Sequence, residues 1–132
     1  MNDALQSPNP SPRPTVSVVI PNFNSGPLLR ACLAAVRASE TDGCRVHEII
    51  VVDDASTDGS ADCAQEFSAM LHRGDSNLGP AHARNIGASH ATSEFLWFLD
   101  SDVEVRRDAV EVVTGFIQAN PEFVAGDGCY DA

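Results

Sequence analysis

Lysine is absent from the sequence: all eight basic residues are arginine, set against nineteen acidic ones, and the formal charge of the 132 residues is −11. A chain this acidic is poorly suited to bare nucleic acid or an anionic membrane surface. Long apolar runs are missing too, none nearing the ~20 residues of a membrane-spanning helix. The N-terminus lacks the basic and apolar stretch of a secretory signal. These absences point to a soluble, cytoplasmic protein without nucleic-acid partners. Cysteine is sparse, and Cys32, Cys44, Cys63 and Cys129 form no closely spaced pair. Neither they nor His47, His72, His82 and His90 have structural-zinc spacing, so buried free thiols in a reducing compartment are expected.

What is present is apolar content enough for one domain, 43% of residues. Residues 1–14 carry Pro8, Pro10, Pro12 and Pro14, which block helix and ladder alike and predict a disordered or extended tail. The β-branched run Val16 to Ile20 reads as a strand buried on both faces, ending at Pro21. A helix fits Pro27 to about Ser39, with Leu28, Leu29, Cys32, Leu33 and Val36 as its apolar stripe. "VHEIIVVDD" reads as a second strand, and "ASTDGSADCAQEFSAM" as a turn and helix capped by Ser56, Thr57 or Asp58. A short strand in "LHRGD", a helix from near Pro80 and a strand from Phe95 to Leu99 follow. A last helix fits Arg107 to Ala119, with Ala109, Val112, Val113, Phe116 and Ile117 turned inward, and "EFVAGDGCYDA" begins one more strand. The alternation predicts an open, mostly parallel α/β sheet flanked by helices.

In such sheets ligands sit beyond the carboxyl ends of the strands. Three polar loops fall there: "PNFNSG", "DDASTDGS" and "DSDVEV". Asp100 and Asp102 form a D-x-D motif at the end of an apolar strand. Two carboxylates this close repel, and a hard cation such as Mg²⁺ or Mn²⁺ relieves the repulsion; a solvated turn that caps the next helix is the simpler alternative. Asp53 and Asp54 serve either as turn and cap residues or as acceptors for a donor-rich ligand edge. Arg84, in "GPAHARNIGA", faces a phosphate or a base, or pairs with a nearby acid; the small residues around it equally suit close helix packing.

The ordered set "VSVVIPNFNSGPLLRACLAAV", "EIIVVDDASTDGS" and "NLGPAHARNIGASHATSEFLWFLDSDV" resembles family 2 glycosyltransferases of the GT-A fold, over roughly Thr15 to Val105 and weakly to Tyr130. The resemblance implies that residues 15–132 are the nucleotide-sugar-binding part of such a domain. It also implies transfer of a sugar from a nucleoside-diphosphate donor to an acceptor hydroxyl with inversion. Pro21, Asn22 and Phe23 would line the nucleoside pocket, with Asp54, and Asp53 beside it, at the base. Arg84 would lie against the nucleotide, Asp100 near the ribose or the metal's water shell, and Asp102 would ligate Mg²⁺ or Mn²⁺ on the diphosphate. UDP-sugars are the favoured donors, and a glycan or a lipid the acceptor, at the inner face of a membrane in a full-length protein.

The resemblance also implies a general base after the D-x-D loop. Glu122, Asp127 and Asp131 lie where the family has other elements, so none is assigned. The base is then expected from a missing C-terminal half or a partner chain, with apolar surface left exposed and weak turnover by this chain alone. The alternative is a nucleotide-binding or partner-binding fragment without catalysis. A nucleotidyltransferase would carry a basic loop after the first strand, and a phosphoacceptor receiver a late lysine; the chain has neither.

Overall fold

The computed structural model describes residues 13–122. Apart from Arg13, Pro14 and Glu122, the expected Pro-rich tail and final strand lie outside them. Four strands form one fully parallel sheet in the order β3-β2-β1-β4. They are β1 (Val16–Asn22), β2 (Glu48–Asp53), β3 (Met70–Arg73) and β4 (Phe95–Phe98). Between them lie α1 (Leu28–Ala38), a 3-10 helix (Ser60–Phe67) and α2 (Pro80–His90), and α3 (Ala109–Ala119) follows β4. No helix among the described residues is long and apolar enough to cross a membrane.

β1 is the centre of the sheet and is buried at every position. One face carries the main core: Val18, Ile20, Ile49 and Val51 pack with Leu29, Cys32, Leu33 and Val36 of α1, Ala61 and Ala64 of the 3-10 helix, and Val110 of α3. The other face carries α2, whose Ala83 packs on Ile50 and Val52. Gly87 explains how α2 lies so close, since a Cβ there would fall 2.3 Å from Val19 Cγ1. The small residues of this helix therefore serve packing, one of the two roles open from sequence.

Several expectations need correction. β1 does not stop at Pro21 but continues through Asn22. Val19 O accepts from Leu99 N while Asn22 O accepts from Asp54 N, so odd-numbered residues of β1 face β4 and even ones β2. Pro21 thus directs its missing N–H past the last β4 pair, Val19 with Phe98, where no ladder bond is lost. The segment after β2 is a 3-10 helix with Gly59, not Ser56, Thr57 or Asp58, at its cap position. β4 is half-covered rather than buried: Leu96 and Phe98 are exposed, because α2 lies over β1 and β2 instead. Leu28 is exposed on α1. α3 buries Val110, Thr114 and Ile117, whereas Val112 and Phe116 face outward. Along this helix the apolar residues span one half, with Glu111, Thr114, Gly115 and Gln118 on the other; the buried face is turned from the middle of the apolar half toward Val110 and Ile117, and Thr114 is admitted inside because its hydroxyl donates to Val110 O at 2.8 Å.

Candidate functional site

The strand order reverses at β1: the chain runs from β1 outward to β2 and β3, then crosses to β4 on the other side. Ligand crevices of open α/β sheets form at such a point, beyond the strand ends. β1 and β4 part there after Leu99, and the loops carrying Phe23 and Asp100 rise on either side.

Asn22 and Asp53 are paired across β1 and β2 in register. Asn22 Nδ2 donates to Asp53 Oδ1 at 3.0 Å and to Ser60 Oγ at 3.0 Å, while its Oδ1 accepts from Ser25 Oγ at 2.6 Å. Asp53 also accepts from Ser56 Oγ at 2.6 Å and Ser56 N at 3.1 Å. Only 2% exposed, Asp53 spends its carboxylate on holding two loops rather than facing the crevice. Ser56 Oγ in turn accepts from Asn24 N at 2.8 Å, and Asn24 Oδ1 accepts from Thr57 N at 2.8 Å. This lacing holds Asn24 and Ala55 at φ +45° and +65°, a region most side chains avoid.

Asp54, 7% exposed, does different work. Its two oxygens accept from Leu78 N and Gly79 N, each at 2.8 Å. Gly79 can present its amide this way because its φ of +98° suits glycine alone. The carboxylate thus clasps the loop leading into α2 and still has acceptor capacity. One turn into α2, Arg84 Nη2 reaches Asp100 Oδ1 at 3.2 Å, with side chains 37% and 66% exposed. α2 therefore links the end of β2 to the loop after β4 across one rim. Asp102 is exposed and has no hydrogen-bond or salt-bridge partner among the described residues. Phe23 is exposed beside the crevice, and Pro21 is buried beneath it. The sequence-derived residues thus gather on one rim, with Asn22 and Asp53 behind it rather than on its surface.

Beneath the Asp100 loop, the Cys32 thiol lies 3.8 Å from Asp100 O. Burial, reinforced by the charges of Asp102, Glu104 and Asp100, pushes its pKa up to about 12, so it stays protonated and is a poor cation ligand. Cys32, Cys44 and Cys63 are buried and free. No group of three or more His, Cys, Asp or Glu among the described residues is arranged to hold an ion alone. Asp100 and Asp102, two residues apart in the loop after β4, are both exposed, and carboxylate oxygens are the donor type that hard cations take. A cavity of about 300 Å³ also opens at this rim, between Gly26, Arg30, Asp58, Cys63 and Glu66; it excludes Asp54, Arg84, Asp100 and Asp102. Sequence reading missed Asn24 and Ser60 and gave Ser56 only as a helix cap, although the spacing Asp53-x-x-Ser56 is a local turn signal that could have shown its bond to Asp53.

The chain matches the family described as glycosyl transferase family 2 over residues 17–131. It is 35% identical over 102 residues to glycosyltransferase GlyA of Streptococcus pneumoniae, covering 74% of this chain and 14% of that protein. It is likewise 35% identical over 102 residues to the putative glycosyltransferase EpsH of Bacillus subtilis, covering 74% of this chain and 29% of that protein. Among solved structures it is similar to the mannosyltransferase PcManGT of Pyrobaculum calidifontis in complex with GDP-Man and Mn²⁺, at 32% identity and TM-score 0.67, covering 82% and 34% of the two chains. It is also similar to TarS 1-349 of S. aureus in complex with UDP, at 26% identity and TM-score 0.73, covering 81% and 33%. The chain thus spans between a seventh and a third of the length of these proteins.

Proposed function

The chain belongs to glycosyl transferase family 2, with the GT-A type of sheet; on that premise we propose that it is the donor-binding part of an enzyme moving a sugar from a nucleoside-diphosphate-sugar to an acceptor hydroxyl. One observation carries the reading: Asp54, α2, Arg84 and Asp100 are joined into a single rim at the point where the strand order reverses. That rim combines acceptors for a base, a guanidinium for an anion and two acids for a cation. The relatives that bind UDP or GDP-Man with Mn²⁺ support the same substrate class.

In this reading Asp54 presents its spare lone pairs to base N–H groups. Phe23 and Pro21 supply apolar surface to the nucleoside. Asn22 and Asp53 act from behind, by fixing the loops that carry those residues. Arg84 offers a guanidinium to the nucleotide, and Asp100 and Asp102 hold Mg²⁺ or Mn²⁺ against the diphosphate. The leaving nucleoside diphosphate would gain negative charge as the bond from phosphate oxygen to the anomeric carbon breaks, and a cation held by Asp100 and Asp102 would supply the opposing charge. UDP is the favoured nucleotide, inversion the expected stereochemistry, and a glycan or lipid the acceptor. Glu122, Asp127 and Asp131 are not assigned as base, so transfer by this chain alone is expected to be slow. Calorimetric titration with UDP and GDP, with and without Mn²⁺, tests the reading: metal-dependent binding of one nucleotide supports it. Absence of binding by both favours a fragment that serves a partner.

A further inference from the structure

Arg84 is the cation already sitting on Asp100. We propose that it acts as a tethered placeholder there, so that the divalent ion binds well only when a nucleoside diphosphate arrives to draw the guanidinium away. The proposal rests on the donor-site reading above and adds to it an order of events.

Three features support it. First, Arg84 contacts a carboxylate of the pair that would hold the ion, at 3.2 Å. A divalent ion on the same carboxylate would have to displace the guanidinium, at a cost set by the worth of the exposed ion pair, up to about fivefold in affinity. Second, the pair is easily opened. Both side chains are substantially exposed, at 37% and 66%, and exposed ion pairs contribute little net stability. A diphosphate offers the guanidinium a bidentate anionic partner in exchange. Third, only the side chain needs to move. The entry to α2 is fastened by Asp54 to Leu78 N and Gly79 N, and Gly87 seats the helix on Val19. Arg84 therefore swings from an anchored base, while Asp102 waits without a hydrogen-bond or salt-bridge partner among the described residues. Nucleotide binding then raises ion affinity, and by linkage the ion raises nucleotide affinity by the same factor.

The experiment measures Mn²⁺ held by the 132-residue chain in equilibrium dialysis with and without UDP or GDP, with nucleotide-only controls for the ion that the diphosphate chelates in solution. Wild-type protein should bind Mn²⁺ alone weakly, and about tenfold or more tightly with the nucleotide. Arg84→Gln should bind Mn²⁺ alone a few-fold more tightly than wild type, up to about fivefold, and keep the part of the nucleotide-induced gain that the diphosphate oxygens would supply by ligating the ion directly. Arg84→Lys, which keeps the charge, should stay near wild type for Mn²⁺ alone. If Arg84→Gln binds Mn²⁺ alone no better than wild type, while UDP or GDP binding to wild type still requires Mn²⁺, the placeholder idea is wrong and the donor site stands. If neither nucleotide binds wild type under any condition, the donor-site reading fails and the placeholder falls with it.

Discussion

At the end of the sheet where strands begin, one carboxylate is tied into the fold; at the end where they finish, two are left open. Glu48 Oε2 accepts from Ser17 Oγ at 2.6 Å, Thr92 N at 2.8 Å and Thr92 Oγ1 at 3.1 Å. Ser93 Oγ lies 2.5 Å from Ser17 Oγ, so β2, β1 and the lead into β4 are pinned together. Burial works against the Glu48 charge, yet the bonds from Ser17 and Thr92 outweigh it and hold its pKa below the usual carboxylate range. At the opposite end Asp53 likewise accepts three hydrogen bonds from the fold, but Asp100 has one exposed partner and Asp102 none by hydrogen bond or salt bridge among the described residues. The contrast separates acids that hold the fold from acids available to a ligand, which residue type alone does not do.

The sharpest way to break that contrast is to remove one acid of each kind. Asp53→Ala leaves one Asn22 Nδ2 hydrogen and the Ser56 amide and hydroxyl short of the acceptor they share and should cost about 3 kcal/mol in urea unfolding. Asp102→Asn should leave unfolding unchanged within about 0.5 kcal/mol, while reducing Mn²⁺-dependent nucleotide affinity about tenfold or more. Equal destabilisation by the two would erase the distinction. Gly87→Ala comes next: the methyl would meet Val19 Cγ1 at 2.3 Å, and lifting α2 should cost about 2 kcal/mol. It should also weaken nucleotide binding, since α2 carries Arg84.

A smaller effect is expected at the other end. The depressed Glu48 pKa makes its contribution complete above the unfolded value of about 4.3 and lost as pH falls through the folded one. Glu48→Gln should therefore lower stability by about 1 kcal/mol near neutrality and flatten the acid-side slope of a stability-pH curve. A variant with the wild-type slope would detach Glu48 from this role. Smallest of all, Val112→Ser on the outward face of α3 should shift stability by less than about 0.5 kcal/mol, read in the same urea titration. A large loss would mean that this face is covered in solution.

The sequence made the strand-helix alternation, the parallel sheet and the gathering of acids at one rim legible, because buried parallel strands are continuous apolar runs with polar loops at their ends. It did not reveal which acids are spent. Asp53 and Asp54 are chemically identical neighbours, and their different duties come from the alternation of β2: one turns toward Asn22, the other toward the loop at Gly79. Nor did it phase α3, whose buried face is turned from the middle of its apolar half toward Val110, Thr114 and Ile117. The exposure of Leu96 and Phe98 escaped it as well, because it depends on where α2 lies and not on β4 itself.

Pro21 gives the rim a fixed opening. With no amide hydrogen directed at β4, the central strand can offer a further rung only the Pro21 carbonyl, half of a ladder pair. The slot between the two strands is thus set by covalent structure. Neighbouring side chains can change without sealing it, which leaves the loops above free to diversify their chemistry over an aperture that does not close.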